Sequence, residues 1–152
     1  YDGVPQHILD KAAEWGTAIH DAIERDSSVM LDEEQTSIFN AYKKLFDEHH
    51  IKIIKKEQMV FYDGEIKYAG TYDCLADILG ATVLIDIKTT YKLDLDYLSY
   101  QLSFYAMAIP EKIDALYVLW LPKKGKAKFI KIDRVPDEIL KETLKRYKES
   151  IC

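Results

Sequence analysis

The chain has 152 residues, of which 48% are hydrophobic and 31% are charged, so it is long enough for one domain with an apolar core. These values exclude disordered and collagen-like chains, and the net charge of -5 argues against a protein that coats nucleic acid non-specifically. The sequence has no apolar run near the roughly 20 residues of a membrane span and no targeting pattern, which predicts a cytoplasmic protein.

Two amphipathic helices are predicted at the start of the chain. Apolar residues recur at helical spacing over residues 4–25 and again over residues 32–50. The first helix begins almost at once, and the chain opens at Tyr1 without an initiator Met. We therefore expect residues 1–152 to form a single domain that lacks an N-terminal segment.

The middle of the chain alternates in the manner of strands. The predicted strands are residues 51–61, 66–79 and 82–88. Asp63 and Gly64 form the turn between the first two strands, and Gly80 and Ala81 are expected to be the central turn residues of the next hairpin.

A helix, two strands and a closing helix are predicted in the remainder. They occupy residues 94–109, 115–121, 127–133 and 136–149, with a Pro-Lys-Lys-Gly turn between the strands. The element order is therefore ααβββαββα, which predicts an α/β fold with a mixed central sheet flanked by helices.

The cysteines and lysines limit which metal clusters and charged partners the sequence predicts. Cys74 and Cys152 are widely separated and lack metal-ligand spacing, so we expect free thiols and no iron–sulfur or zinc cluster. The lysines form two groups, which are Lys52, Lys55 and Lys56, and then Lys123, Lys124, Lys126, Lys128 and Lys131. A basic rim and ordinary solvated turns explain these groups equally well.

Charged groups end an otherwise apolar strand. With a Gly80-Ala81 turn, Asp73 lies opposite Lys88, and period-two alternation puts Asp73, Asp86 and Lys88 on one face. Two carboxylates beside an ammonium suit a divalent metal, since a buried charge persists only when paired or metal-bound. A cross-strand salt bridge with a solvated Asp86 has equal weight on these residues alone.

These residues fall in a set of ordered motifs. Gly70-Thr-Tyr-Asp73 followed by Asp86-Ile-Lys88 resembles the signature of the PD-(D/E)XK nuclease superfamily. Upstream, Gly16-Thr-Ala-Ile-His20 resembles the family's helical histidine motif. Downstream, Gln101-Leu-Ser-Phe-Tyr105 resembles the Gln-x-x-x-Tyr motif of RecB-like exonuclease domains. The motifs stand in the family's order and span most of the chain.

The resemblance implies a restriction-endonuclease-like core with a metal centre. The implied ligands of Mg²⁺ or Mn²⁺ are His20, Asp73, Asp86 and the carbonyl of Ile87. Lys88 would orient an attacking water or stabilise the developing negative charge. Read without the motifs, a lone histidine on an apolar helix face is more often a core residue than a ligand.

Three further residues match the family less specifically. Gln101 and Tyr105 share the buried face of the third helix and would position the phosphate or an active-site water, although an internal hydrogen bond also explains them. Glu57 matches an acidic residue that the family often carries at the start of its first core strand, where exposed glutamates are common in any protein. Three other acids are expected to be structural, namely Asp77, Asp94 and Asp96.

The function implied by the resemblance is a divalent-metal-dependent DNA exonuclease. It would act on linear ends and leave a 5′-phosphate, in recombination, repair or phage or prophage DNA processing. Relatives with an iron–sulfur cluster use four cysteines, so the two present here exclude that branch. A structure-specific endonuclease would share every site residue, and a non-catalytic DNA-binding module would usually lack an acidic ligand or the lysine. A homo-oligomer and a recombination partner protein are both compatible with the sequence.

Overall fold

The computed structural model describes residues 3–151, and side chains as far as residue 150. The helices are α1 (Gln6–Arg25), α2 (Glu33–Glu48), α3 (Leu95–Ala108) and α4 (Asp137–Ile151). The strands are β1 (Ile51–Tyr62), β2 (Tyr68–Ile78), β3 (Ala81–Lys88), β4 (Ala115–Trp120) and β5 (Lys128–Ile132). The predicted order and the α/β class are confirmed. Cys74 is a buried free thiol, whereas Cys152 lies outside the described residues.

The five strands form one mixed sheet in the order β1-β2-β3-β4-β5. Only β3 and β4 run parallel among these neighbours, and α3 provides the crossover that a parallel pair requires. The carboxyl ends of β3 and β4 therefore meet at one edge of the sheet. Strand β5 begins at the same edge, because it runs antiparallel to β4.

Apolar side chains cover both faces of the sheet. On one face, Ile19 of α1 and Phe46 of α2 pack in a cluster with Ile85. On the other face, Leu102 of α3 packs with Leu84. Neighbouring residues of β3 thus serve opposite helix layers, as expected for a strand in the sheet interior. Within residues 3–151, none of the helices has the length and apolar character to cross a membrane.

The hairpin between β2 and β3 turns one residue earlier than predicted. Leu79 and Gly80 are the central residues, with φ angles of 50° and 93°, and Ile78 pairs with Ala81. A two-residue hairpin of type I′ requires positive φ at both positions. The Gly80-Ala81 prediction was wrong because leucine adopts the left-handed conformation at the first of them, which its residue type does not favour.

This turn changes the predicted partner of Asp73. Cys74 pairs with Ile85, so continuation of the register puts Asp73 opposite Asp86 rather than opposite Lys88. The two possible partners are separated by two residues on β3, so Asp86 and Lys88 still share one side of that strand.

Strand β2 does not alternate regularly up to this point. Tyr72 and Leu75 are three residues apart, yet both belong to the core cluster on the α3 face. Regular pairing with β3 ends at Cys74, and the Asp73 carboxylate accepts a hydrogen bond from the backbone N–H of Ile87. Asp73 therefore lies at a break in the strand, and its contacts rather than simple alternation determine where its carboxylate points.

Candidate metal centre

The predicted site residues converge where β2 and β3 separate. Four carboxylate or imidazole side chains come from four elements, with His20 on α1, Glu57 on β1, Asp73 on β2 and Asp86 on β3. Residues that are far apart in sequence are brought together here by the sheet order and by the packing of α1 on the sheet.

Asp73 is held by a hydrogen bond from β3 and lies near His20 of α1. Its Oδ2 atom accepts a hydrogen bond of 2.7 Å from the backbone N–H of Ile87. Its Oδ1 atom lies 4.0 Å from Nδ1 of His20. The hydrogen bond from β3 orients the carboxylate, as a pre-organised ligand requires, with Oδ1 on the side of His20.

Three potential ligand atoms form a compact group. One atom each from His20, Glu57 and Asp73 lies within 4.8 Å of the other two, and all three residues are half-buried. An imidazole and two carboxylates at this spacing could bind one divalent cation. Asp86 adjoins Asp73 but is not a member of this group of three.

Glu57 reaches the site through an unusual backbone conformation. It lies between the Lys56–Cys74 and Gln58–Tyr72 pairs of the β1–β2 ladder, which puts it beside Asp73. Its φ angle is 46°, in the left-handed region that a glutamate rarely adopts. Such conformations cost on the order of 1–3 kcal/mol and concentrate at functional sites.

His20 is held by close packing of α1 against the segment after β3. A Cβ at Gly16 would lie 2.6 Å from Oγ1 of Thr89, so the two segments approach closely here. Burial is the main cause that lowers the pKa of His20, while Asp86 raises it and Lys88 lowers it further. The imidazole is therefore neutral at physiological pH, which is the form that binds metals.

Asp86 and Lys88 form a partly buried ion pair. Nζ of Lys88 lies 3.2 Å from Oδ2 of Asp86, and the Asp86 residue is only 5% exposed. Oδ2 is buried and accepts no directed hydrogen bond from any residue between 3 and 151. Burial, and then the charge of Asp73, raise the pKa of Asp86 to about 7.

The α3 residues lie on the other side of the two aspartates. Burial first, and then the charges of Asp86 and Asp73, raise the pKa of Tyr105. Gln101 contacts Tyr105, and its buried Oε1 finds no hydrogen-bond partner in the described chain. The ring of Tyr105 occupies the space that a Cβ on Gly70 would need. An unpaired buried amide oxygen costs free energy, so Gln101 is available for a further interaction.

Comparison with known proteins identifies a shared fold. No protein-family model matches the chain, and no curated protein matches it. The chain is similar to a crystal structure from Eubacterium rectale named "Putative exonuclease", with 14% identity, a TM-score of 0.51 and coverage of 99% of this chain. It is also similar to the crystal structure of SSO0001, with 16% identity, a TM-score of 0.49 and coverage of 74% of this chain.

The chain is shorter than both of these proteins. It spans 66% of the Eubacterium rectale chain and 57% of the SSO0001 chain. At such identities the likeness to the Eubacterium rectale structure concerns the fold, here a mixed sheet with helices on both faces. Any statement about chemistry therefore depends on the side chains described above.

The sequence reading missed the basic and acidic residues that surround this group. Nζ of Lys56 donates to the carbonyl oxygens of Ile23 at 2.8 Å and Glu24 at 3.3 Å, near the C-terminus of α1. The pKa of Glu57 is raised by burial first and then by the charges of Glu24 and Asp21. Glu24 could have been found from the sequence, because it follows His20 by four residues and so shares its side of the helix. No local pattern indicates the role of Lys56.

A divalent cation fits the donor set. Burial is the main cause that raises the pKa of Asp73, Asp86 and Glu57, and neighbouring carboxylates raise each of them further. A cation bound among these side chains would offset both effects. Carboxylate oxygens favour Mg²⁺ or Mn²⁺, and the imidazole is compatible with Mn²⁺ and softer metals.

Proposed function

We propose that this protein is a divalent-metal-dependent DNA nuclease that acts as an exonuclease on linear ends. The observation that carries the proposal is the His20, Glu57 and Asp73 group beside the buried Asp86–Lys88 pair. Oxygen ligands, a neutral imidazole and an ammonium are the parts that metal-assisted phosphodiester hydrolysis uses.

The acidic residues and His20 would form the metal site in this proposal. Asp73, Glu57 and His20 would hold Mg²⁺ or Mn²⁺, and Asp86, whose Oδ2 pairs with Lys88, would complete the set with a carboxylate oxygen. The Ile87 carbonyl would be a further oxygen donor. The bound ion would polarise the scissile phosphate and lower the pKa of an attacking water. The hydrogen bond from Ile87 N–H keeps the Asp73 carboxylate in position while substrate enters.

The remaining residues would act on substrate. Lys88 is 31% exposed at its side chain, so its ammonium can both pair with Asp86 and reach a phosphate or a water. It would orient the water or stabilise the negative charge that develops in an in-line displacement. From the α3 side, the phenol of Tyr105 would donate a hydrogen bond to the phosphate, and the buried amide oxygen of Gln101 would accept one from an active-site water.

The choice of an exonuclease rests on the ordered motifs and on the fold. The motifs from Gly16 to Tyr105 resemble those of RecB-like exonuclease domains, which also supports a 5′-phosphate product and a role in recombination, repair or phage DNA processing. The exonuclease name of the Eubacterium rectale neighbour agrees with this proposal.

A degradation assay tests the proposal directly. End-labelled linear duplex, single-stranded DNA and a closed circle are incubated with Mg²⁺, Mn²⁺ or EDTA, and wild type is compared with Asp86→Ala. We expect metal-dependent loss of the linear substrates alone, and no loss with the variant. The matched control is Asp77→Asn, because Asp77 is on β2 as well but only accepts a 3.4 Å hydrogen bond from Gly80 N–H at the turn.

The other outcomes separate the alternatives. Cutting of the closed circle would indicate an endonuclease. Binding of DNA by folded protein without cleavage in any metal would indicate a non-catalytic DNA-binding module. Equal loss of activity in Asp77→Asn and Asp86→Ala would contradict the assignment of the metal centre.

A further inference from the structure

A basic and aromatic row crosses the sheet beside the metal centre. Lys88 at the end of β3 pairs with Trp120 at the end of β4, and Trp120 pairs with Lys128 at the start of β5. The row therefore begins at the lysine of the proposed active site and runs to the far edge of the sheet. It lies at the carboxyl ends of the two parallel strands, where α/β sheets commonly bind ligands.

Trp120 connects this row to the segment between β3 and α3. Its indole N–H donates a 2.8 Å hydrogen bond to the carbonyl of Thr90, and Nζ of Lys128 lies 5.7 Å from the centre of its ring. The hydroxyl of Thr90 donates in turn to the carbonyl of Lys92 at 2.8 Å. These hydrogen bonds attach the segment to the sheet and order its backbone, from which the outward side chains extend.

Two tyrosines extend from this region into solvent. Tyr91 is 87% exposed and directly precedes the exposed Lys92. Tyr97 in the first turn of α3 is 61% exposed and shares a helix face with Gln101 and Tyr105. Large aromatic side chains are normally covered, so two exposed rings beside a phosphodiester site require an explanation.

We propose that Tyr91, Lys92, Tyr97, Trp120 and Lys128 form an edge track that binds single-stranded DNA and leads it to the metal centre. This inference rests on the proposed nuclease function and specifies the form of the substrate. Phosphates would follow Lys92 and Lys128, and unpaired bases would stack on Tyr91 and Tyr97.

Charge and ring exposure favour a single strand over a duplex. Bases in a duplex are already stacked, so the faces of Tyr91 and Tyr97 can stack only on bases that are unpaired. The net charge of -5 also disfavours the many phosphate contacts of duplex binding.

Binding in the absence of metal tests the edge track separately from catalysis. Fluorescence anisotropy of a labelled oligothymidylate is measured in EDTA over a range of salt concentrations, beside a duplex of the same length. The variants are Tyr91→Ala and Lys128→Gln. The matched control is Lys131→Gln, because Lys131 is exposed on β5 as well but, three residues from Lys128, lies on the opposite face of the sheet.

We expect wild type to prefer the single strand, and Tyr91→Ala to weaken its binding at least about fivefold, the lower range of base-stacking effects. Lys128→Gln should reduce the slope of log affinity against log salt by about 0.7, which corresponds to one lost phosphate contact on a single strand. Lys131→Gln should keep the wild-type slope.

Preferred binding of the duplex, or equal changes in Lys128→Gln and Lys131→Gln, would overturn the edge track. Failure of the two proposals would look different. Strong single-strand binding that depends on Tyr91 and Lys128, without cleavage in Mg²⁺ or Mn²⁺, would support the track and contradict the nuclease function. Cleavage by wild type with unchanged binding in both variants would support the nuclease function and contradict the edge track.

Discussion

The two halves of the β2–β3 hairpin differ in pairing and in chemistry. Towards the turn, residues 74–78 pair regularly with residues 81–85, and the centre of this ladder is apolar and buried. Beyond Cys74 the regular pairing stops, and Asp73, Asp86 and Lys88 follow. A side-chain carboxylate there replaces a backbone carbonyl as the acceptor for Ile87 N–H. The hairpin thus places its charged groups at the point where the regular pairing of its backbone ends.

The halves also make opposite contributions to stability. The apolar half removes side chains such as Leu75 and Leu84 from water, which stabilises the fold. The polar half buries carboxylates close to one another, which raises their pKa values and destabilises the metal-free protein at neutral pH. Substitutions in the two halves should therefore separate folding from chemistry.

The largest effect is expected for Lys88→Ala in the polar half. Loss of its ammonium removes a group that would stabilise developing charge, so the cleavage rate should fall by about 100-fold or more. Binding of Mn²⁺, measured by calorimetric titration, should persist because Lys88 is not a ligand. The control is Lys145→Ala, an exposed lysine on α4. Full activity in Lys88→Ala would sink the proposed mechanism.

Leu84→Ala in the apolar half should lower the stability of the fold and leave the metal centre intact. Leu84 is fully buried between β2 and α3, so its truncation should lower the free energy of unfolding by about 2–5 kcal/mol in urea titrations. The folded variant should bind Mn²⁺ as wild type does. A large loss of metal affinity in the folded variant would show that the two halves are not independent.

His20→Ala sharpens the comparison from the α1 side. Loss of one proposed ligand should weaken Mn²⁺ binding by about tenfold or more without a comparable change in stability. His7→Ala is the matched control, because His7 is exposed near the start of the same helix. An unchanged Mn²⁺ titration would return His20 to a packing role.

Asp86→Asn should have an effect of the opposite sign, a pH-dependent gain in stability. The folded-state pKa of Asp86 is about 7, above the usual carboxyl value of 3.8, so the folded protein binds this proton more tightly than the unfolded chain does. Through Asp86, the stability of metal-free wild type should fall as pH rises from about 4 to about 7, whereas the variant keeps only the dependence that comes from other carboxylates such as Asp73 and Glu57. In EDTA the Tm of Asp86→Asn should therefore exceed that of wild type at pH 8.

Below about pH 3 the difference should largely vanish, because Asp86 is then mostly protonated in both the folded and the unfolded chain. Added Mg²⁺ should raise the Tm of wild type at pH 8 more than that of the variant. A variant that is less stable than wild type at pH 8 in EDTA would contradict the cost assigned to the buried carboxylate.

The sequence predicted the fold better than it predicted the local geometry of the site. Strand alternation and helical spacing were sufficient for the order of elements, because buried faces repeat regularly. They did not predict the left-handed Leu79, the break between Tyr72 and Leu75, or the φ angle of 46° at Glu57. These features depend on contacts between distant segments, which local residue preferences do not contain.

The motifs predicted which residues lie together more accurately than the predicted strand register did. Asp73 and Asp86 lie together although the predicted turn was wrong, because the error moved the partner by two positions and preserved the side of the strand. The assignment of Glu57 to the site was the least specific prediction. The sequence around it is that of an ordinary lysine-rich strand and does not indicate its left-handed backbone conformation. The site residues themselves stay predictions until the variants are measured.

The hydrogen bonds of Lys56 have a mechanical consequence. This side chain extends from β1 to the last carbonyl groups of α1, and it directly precedes Glu57 on its strand. The Lys56 side chain thereby connects the helix that bears His20 to the strand that bears Glu57. If His20 and Glu57 bind the proposed ion, the Lys56 contacts would help to hold the two ligands near each other without touching the ion.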